Sequence, residues 1–211
     1  MEDLVVVGVG FPDVVSVIEE LNDGRHQPYN LLGFLDDNPA LKGERVLGYP
    51  VVGPLDWIRE NKGVYVINTV ARSLLVRKNV YEKLSSFGAR YASIVHPSTN
   101  LKYAEVGDGV FIGKNAYLEP RVKVGAHSMV LSNATLGHDV EVGRNCFIGP
   151  GAHLLGRVKL GDNVFVGSGA AVLPEISVGD DAVLGINANV TLPVNAGESI
   201  VSTPSRRMRF S

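Results

Sequence analysis

The sequence predicts two domains of different architecture, a parallel α/β domain followed by a parallel β-coil. Three observations lead to this prediction. A continuous apolar run and a glycine turn open the chain, and apolar segments then alternate with helical patterns up to about residue 95. From Val106 to Val190, every sixth residue is aliphatic, without an exception or an insertion. A period of six fits neither the helix period of 3.6 nor the strand period of 2.0, so this part of the chain requires a repeating coil.

Residues 1–97 predict a small α/β domain. In chain order, the expected elements are a strand at Leu4–Val7, a turn at Gly8-Val9-Gly10, a helix from Pro12 to Glu20, a strand at Asn30–Leu35, a loop containing Gly43, Gly48 and Pro50, a strand at Val64–Asn68, a helix from about Ser73 to Phe87 and a strand at Tyr91–Val95. The first run has no polar alternation, as in a strand buried on both faces. Such an order is typical of a parallel sheet with a Rossmann-like start.

Two pairs of residues in this domain are candidate substrate-binding residues. Gly8 and Gly10 follow the first strand, but position 13 is aspartate, so the third glycine of a dinucleotide fingerprint is missing and a purely structural turn fits as well. Asp36 and Asp37 follow the second strand, where an open α/β sheet places a ribose or base contact. A helix cap or a loop charge is the alternative interpretation of this acidic pair.

The hexads of residues 98–211 predict a coil of triangular cross-section. The residue after the aliphatic position is glycine in ten of fifteen hexads, which permits a tight corner. Three hexads close one turn, so equivalent positions stack from turn to turn. Full burial of each inward aliphatic side chain contributes roughly 1.5–3 kcal/mol. A helix is excluded because each interior glycine would cost about 1 kcal/mol, and a β-sandwich would show spacings of about 8–12 residues.

Composition excludes several classes of partner. A net charge of −2 and a pI of about 6.2 give no electrostatic basis for binding nucleic acid or an anionic membrane. One cysteine, Cys146, allows no internal disulfide and is expected to be a packed thiol. The chain has neither a basic start typical of a signal peptide nor an apolar stretch long enough to span a bilayer. We therefore expect a cytoplasmic protein.

The hexad pattern resembles the left-handed parallel β-helix of hexapeptide-repeat acyltransferases. The whole chain resembles sugar O-/N-acyltransferases of the NeuD/PglD type, on the basis of Phe34-Leu35-Asp36-Asp37, Tyr49-Pro50-Val51-Val52-Gly53, His96-Pro97-Ser98 and the hexads that follow. The resemblance implies an acetyl-CoA-dependent acetyltransferase that forms a homotrimer. It also implies that the N-terminal domain holds a nucleotide sugar and that acetyl-CoA binds to the coil between neighbouring subunits.

His138 is the candidate general base. It lies two residues after Leu136 and beyond Gly137, so its ring is expected to project outward from a corner of the coil. Asp139 follows at once and can orient the ring, as the carboxylate of a catalytic triad does. Histidine suits the role because its unperturbed pKa is about 6.5. The segment Gly137-His138-Asp139-Val140 also matches the catalytic stretch of the resembled family, which implies the same roles for both residues.

Gly156 is the candidate oxyanion donor, since it lies three hexads, or one full turn, after His138 and should stack beside it. Its hexad reads Leu154-Leu155 where most have aliphatic-glycine, although a simple turn glycine is the alternative. The resemblance further implies that Phe147 lies near the acetyl group and that Pro204, Arg206 and Arg207 lie near the adenosine end of coenzyme A. A solvated basic tail is the alternative for the last residues.

Three departures from the family pattern make the expected acceptor pocket less polar. The family usually carries Gly-x-Gly-Gly-His-Gly or a similar segment after the first strand, where this chain has Gly8-Val9-Gly10-Phe11-Pro12-Asp13. Many members have a histidine where this chain has Phe147 and an asparagine where it has Leu131. A non-catalytic nucleotide-sensing or scaffold protein is therefore the alternative function. A zinc enzyme of the γ-carbonic-anhydrase type would need two histidines five residues apart, which the five histidines of this chain do not provide, so no metal is expected. Phe147 and Tyr117 are expected to form an outward-facing trimer seam.

Overall fold

The computed structural model describes residues 1–24, 28–70 and 73–202. The α/β domain contains strands β1 (Glu2–Val7), β2 (Tyr29–Leu35), β3 (Arg45–Val46), β4 (Tyr49–Gly53), β5 (Tyr65–Asn68) and β6 (Arg90–Tyr91), helices α1 (Asp13–Asn22) and α2 (Leu74–Ser86), and 3-10 helices at Pro39–Leu41 and Leu55–Arg59. The strands form one sheet in the order β3-β4-β2-β1-β5-β6. All neighbours are parallel except β3 and β4. The predicted helices and the first three predicted strands are thus present, within two residues at each end.

One prediction for this domain was wrong: the expected loop with Gly48 and Pro50 contains the antiparallel hairpin of β3 and β4. The two strands are only a few residues long and carry no clear apolar alternation, so their sequence looks like a loop. Gly33 of β2 faces this hairpin with a φ of +143°, and an added Cβ atom would collide with the carbonyl oxygen of Pro50. Glycine at this position therefore lets the two backbones approach closely.

The expected strand at Tyr91–Val95 is also divided. Its first part is β6 of the α/β sheet, whereas β7 (Ile94–Val95) pairs with the first strands of the coil. The Ile94 N–H donates to the carbonyl oxygen of Val110 at 2.8 Å, and the His96 N–H donates to that of Ile112 at 2.9 Å. Only Ala92 and Ser93 lie between the two sheets, so the chain passes directly from one domain into the other.

The coil has three faces, each a parallel sheet. Face 1 contains β8 (Glu105–Val106), β11 (Lys123–Val124), β14 (Glu141–Val142), β17 (Lys159–Leu160) and β20 (Ser177–Val178). Face 2 contains β7, β9 (Phe111–Ile112), β12 (Met129–Val130), β15 (Phe147–Ile148), β18 (Phe165–Val166), β21 (Val183–Leu184) and β23 (Ser199–Ile200). Face 3 contains β10 (Tyr117–Leu118), β13 (Thr135–Leu136), β16 (His153–Leu154), β19 (Ala171–Val172) and β22 (Asn189–Val190). From β8 to β22, each strand pairs with the strand three hexads further on.

The expected turn of three hexads is therefore confirmed. The aliphatic ladder and the small residues two positions before it fill the interior as one continuous buried cluster, which also encloses Cys146. At most corners, the third residue after the ladder position is a non-glycine residue in the left-handed region, as at Asn133 (φ +60°) and Asn163 (φ +59°). Parallel sheets built from hexapeptide repeats in this way fit a left-handed β-helix with an N-terminal α/β domain.

Face 2 of the coil packs against the α/β domain. Val14 and Ile18 of α1 share a buried cluster with Phe111, Met129 and Leu131 of the coil. Leu131, which the family pattern placed near a polar acceptor pocket, is 6% exposed in this cluster. Its departure from asparagine therefore has a packing explanation, since an apolar side chain joins the two domains here.

Helix α2 packs against a second part of the coil through Arg77 and His127. The Arg77 side chain is buried and donates through Nη2 to the carbonyl oxygen of His127. The His127 ring lies 3.8 Å from the Tyr81 ring and 4.6 Å from the Tyr91 ring, measured between centroids. Burial, together with the nearby Arg77 charge, lowers the pKa of His127 to about 4.

This contact predicts a pH-dependent stability that depends on His127. Because the folded state holds the ring neutral while the unfolded chain takes up a proton below about pH 6.5, the contribution is complete above pH 6.5 and falls as the pH drops towards 4. The loss is about 3 kcal/mol between pH 7 and pH 4. His127→Asn matches Asn145 and Asn163, which occupy the equivalent position one and two turns further on, and asparagine tolerates the φ of +61°. In urea unfolding, the wild-type protein should lose about 3 kcal/mol more than this variant over that pH range; parallel losses would contradict the prediction.

Candidate active site

The predicted catalytic residues lie on the corner between face 3 and face 1, which we call the His138 corner. Successive turns of the coil stack there as Glu119-Pro120-Arg121, Gly137-His138-Asp139, Leu155-Gly156-Arg157 and Leu173-Pro174-Glu175. The aliphatic ladder fixes the height of each turn, and the corner residues follow from it. The His138 side chain is 46% exposed and projects outward, as the sequence predicted.

The ring of His138 is oriented by Asp139. The distance from His138 Nδ1 to Asp139 Oδ2 is 2.8 Å. Asp139 has a φ of +62°, in the left-handed region that most corners of the coil adopt. An ionised carboxylate only accepts hydrogen bonds, so the shared proton lies on Nδ1 and the lone pair of the neutral ring lies on Nε2. The pair therefore has the arrangement that a general base requires.

Gly156 lies next to this free nitrogen. A Cβ atom added to Gly156 would lie 2.6 Å from His138 Nε2, so only glycine leaves room for the ring in its observed position. The Gly156 N–H donates to no described residue. Pro120 and Pro174, the equivalent residues of the neighbouring turns, have no N–H, and the His138 N–H donates to Glu119 Oε2 at 2.7 Å. The structure therefore brings together an imidazole nitrogen and an uncommitted backbone amide.

Sequence reasoning missed two residues of this corner. Arg121 contacts Asp139 through Nε at 2.5 Å and Nη2 at 2.8 Å, and the Glu119 carboxylate holds the backbone of His138. Arg121 and His138 both lower the pKa of Asp139 well below its usual range. The signal was present in the sequence, because Arg121 lies one turn of three hexads before Asp139, and Glu119 occupies a position that is usually glycine.

Phe147 and Tyr117 do not share one surface, so the expected single seam was wrong. Phe147 belongs to β15 on face 2, where it stacks on Phe165 with 5.1 Å between ring centroids and 6° between ring planes. Tyr117 belongs to β10 on face 3 and is 60% exposed, beside a cavity of about 280 Å³ that Tyr103 and Pro120 also line. Within one chain, Phe147 is thus on a different face from Tyr117 and away from the His138 corner.

The candidate binding residues of the α/β domain meet at the carboxyl ends of β1 and β2. Gly8 has a φ of +87°, and the Val9 N–H donates to Asp36 Oδ2 at 3.4 Å, so the glycine turn and Asp36 are adjacent. Asp37 accepts from the Leu55 N–H and from Lys83 Nζ, both at 2.8 Å, which is the structural role that the sequence left open. An added Cβ atom at Gly10 would meet no neighbouring atom within 4 Å.

A cavity of about 540 Å³ adjoins this edge of the sheet. Its lining combines apolar surface with carboxylates; it includes Asp36, Asp37, Asn38, Lys42, Val52, Pro54 and Trp57. The cavity lies where the loops after β2 and β4 meet, outside the carboxyl ends of these strands. Both predicted aspartates therefore line a cavity large enough for a small molecule.

Some predicted residues lie outside the described part of the chain. Pro204, Arg206 and Arg207, assigned to coenzyme A by resemblance, are among them. Within residues 1–24, 28–70 and 73–202, no group of three histidine, cysteine or carboxylate side chains is arranged to hold a metal ion. No helix among these residues combines the length and apolarity needed to span a membrane.

The fold and the repeats together define a class, a hexapeptide-repeat coil that carries an N-terminal α/β domain. The coil matches the family described as bacterial transferase hexapeptide (six repeats) over residues 103–138, 122–156 and 139–174, and the family described as hexapeptide repeat of succinyl-transferase over residues 157–193. Residues 103–193 of the coil thus match hexapeptide-repeat models. Comparison with curated proteins gives no match.

Solved structures of the same overall fold include an acetyltransferase domain and a perosamine N-acetyltransferase, in agreement with the NeuD/PglD-type resemblance. The acetyltransferase domain of PglB from Neisseria gonorrhoeae, in complex with acetyl coenzyme A, has 23% identity and a TM-score of 0.85, covering 98% of this chain and 99% of that one. A histidine mutant of perosamine N-acetyltransferase from Caulobacter crescentus, in complex with CoA and GDP-perosamine, has 22% identity and a TM-score of 0.85, covering 96% and 98%. WeeI from Acinetobacter baumannii has 24% identity and a TM-score of 0.82, covering 98% and 99%.

Proposed function

We propose that the protein is an acetyltransferase that moves an acetyl group from acetyl-CoA to an amino or hydroxyl group of a nucleotide-linked sugar. The observation that carries this proposal is the His138 corner, where a ring nitrogen with a free lone pair lies beside Gly156, whose backbone N–H donates to no described residue. The similarity to PglB and perosamine N-acetyltransferase over nearly the whole chain supports the same conclusion, since those structures hold acetyl coenzyme A, or CoA with GDP-perosamine.

The chemistry follows from the positions of these groups. His138 Nε2 takes the proton of the acceptor amine or hydroxyl as its nitrogen or oxygen attacks the thioester carbonyl carbon. The oxyanion of the tetrahedral intermediate accepts a hydrogen bond from the Gly156 N–H. Collapse of the intermediate breaks the carbon–sulfur bond, and the departing thiolate of coenzyme A takes the proton from Nε2. Asp139 stabilises the imidazolium that exists between these two proton transfers.

The α/β domain, residues 1–97 in this proposal, supplies the site for the nucleotide. Its parallel strands follow the order β4-β2-β1-β5-β6, in which the direction of chain progression reverses between β1 and β5. In Rossmann-like sheets, ligands bind outside the carboxyl ends of the strands near such a point. Gly8 and Gly10 lie at this point, and Asp36, which accepts from the Val9 N–H, also lines the cavity of about 540 Å³ beside β2 and β4.

We further propose a homotrimer in which coil residues 98–211 of neighbouring copies enclose acetyl-CoA. Face 2 carries an apolar strip beyond the α/β domain, where Phe147 stacks on Phe165, Val183 is 40% exposed and Ile186, at the following corner, is 62% exposed. A second copy would bury this strip, since exposed apolar patches commonly mark interfaces. Contact between face 2 of one copy and face 3 of the next would place Phe147 against the face that ends at the neighbour's His138 corner, which fits the role that the resemblance gives Phe147.

A thiol-release assay tests the proposal. The protein is incubated with acetyl-CoA and a panel of UDP-, GDP- and CMP-linked amino sugars, and free coenzyme A is measured. We expect release that depends on one class of acceptor, with an acetylated product detected by mass spectrometry. If no acceptor gives release while a nucleotide still raises the melting temperature, the non-catalytic nucleotide-sensing alternative replaces the enzyme.

A further inference from the structure

Four charged residues stack along the His138 corner in the same backbone conformation. Arg121, Asp139, Arg157 and Glu175 follow one another at intervals of three hexads and have φ values of +66°, +62°, +63° and +65°. They form two separate ion pairs, Arg121 with Asp139 and Arg157 with Glu175. The two pairs are alike in chemistry and setting, but only the first involves a residue that touches the His138 ring.

The first pair is a two-pronged contact. Arg121 Nε lies 2.5 Å from Asp139 Oδ1 and Nη2 lies 2.8 Å from Oδ2, so the planar guanidinium donates a hydrogen bond to each carboxylate oxygen. Asp139 Oδ2 also accepts from His138 Nδ1 at 2.8 Å. Because one oxygen serves both partners, the orientation of the carboxylate relative to the ring depends on Arg121.

Two hydrogen bonds from neighbouring turns hold the backbone of His138 rather than its ring. Glu119 Oε2 holds the His138 backbone N–H, and the Arg157 N–H donates to the carbonyl oxygen of His138 at 2.9 Å. These contacts fix the backbone, whereas the Asp139 carboxylate alone contacts a ring nitrogen by hydrogen bond among the described residues. Arg121 is therefore the residue through which the preceding turn of the coil acts on the ring.

We infer that Arg121 is a positioning residue, which holds Asp139 so that the neutral His138 ring keeps its proton on Nδ1 and directs the Nε2 lone pair towards Gly156. This inference deepens the proposed function and rests on it for its catalytic meaning. Its structural content, the control of the ring tautomer, is independent of turnover. If Arg121 only stabilised the fold, its replacement would leave the ring tautomer unchanged. The free energy of unfolding would also change little, since ion pairs between exposed side chains contribute little to folding.

The test is Arg121→Met, observed by ¹⁵N NMR of the histidine rings above the pH at which they are protonated. In the wild-type protein, His138 should show a protonated Nδ1 and an unprotonated Nε2. In the variant, we expect a substantial fraction of the Nε2-protonated tautomer, because the carboxylate is no longer held in place. On the proposed function, kcat should fall about 10-fold with an unchanged KM for acetyl-CoA, which is less than the loss when a triad carboxylate is removed.

Arg157→Met is the matched control, since it breaks the equivalent ion pair with Glu175 one turn away from the ring. It should leave the tautomer and kcat unchanged. Arg121→Lys keeps the charge but can make only one contact at a time, so it should restore part of both signals. An unchanged tautomer in Arg121→Met would overturn the inference. A shifted tautomer in a protein without acetyltransferase activity would uphold it and count against the proposed function alone.

Discussion

Replacing His138 with alanine is expected to lower kcat of the proposed reaction by about 10²–10⁴-fold, which is the usual contribution of a general base. The acceptor would then have to lose its proton to water, while the coil keeps its core because the ring is 46% exposed and makes no contact in the buried ladder. The measurement is steady-state coenzyme A release, with circular dichroism and thermal unfolding to check the fold.

Ser177→Ala is the control for this substitution. Ser177 is an exposed residue of face 1 in the same coil, outside the face 2 and face 3 surfaces of the proposed contact between copies. It should keep wild-type turnover. Equal loss in both variants would mean that damage to the coil, rather than removal of a base, explains the effect. Full activity of His138→Ala would remove the central residue of the proposed mechanism.

Gly156→Ala is expected to lower kcat by about 10²-fold, although alanine retains the backbone N–H. The added Cβ atom would lie 2.6 Å from His138 Nε2, so the ring must move away from the amide. Gly63→Ala is a suitable control because Gly63 has no positive φ and no neighbouring atom where the new Cβ atom would lie.

A double-mutant cycle separates the two possible origins of this loss. If Gly156→Ala acts by displacing the ring, it should lower kcat only slightly in a protein in which His138 is already alanine. The effects of the two substitutions on kcat should then be far from additive. Additive losses would contradict the steric explanation and would place the effect on the amide itself. Both single variants and the double variant can be compared at one acetyl-CoA concentration above KM.

The hexad period alone allowed much of the site to be located. Because inward aliphatic residues fix the height of each turn, the position three hexads after His138 had to stack beside it, and Gly156 does. The same counting would have found Arg121 opposite Asp139, but the sequence contains many charged corner residues, and nothing local marks which of them form pairs.

Other features depend on contacts between distant segments and could not be derived from a pattern. The hairpin of β3 and β4 is too short to show periodicity, and the burial of Leu131 arises only when α1 docks on face 2. The expected seam failed for a related reason. Phe147 and Tyr117 both point outward, but they lie five hexads apart, which is not a whole number of turns, so they are on different faces.

The passage from β6 into β7 has a mechanical consequence for how substrates enter. Because only two residues separate the sheets and Ile94 is hydrogen-bonded into the coil, the junction offers little free chain about which the domains could swing apart. Rotation would break those hydrogen bonds, at about 1 kcal/mol each, and would expose the apolar contact of α1 with face 2. We therefore expect loop tips and side chains, rather than whole domains, to move when a ligand binds. The distance between the cavity of the α/β domain and the coil then stays fixed.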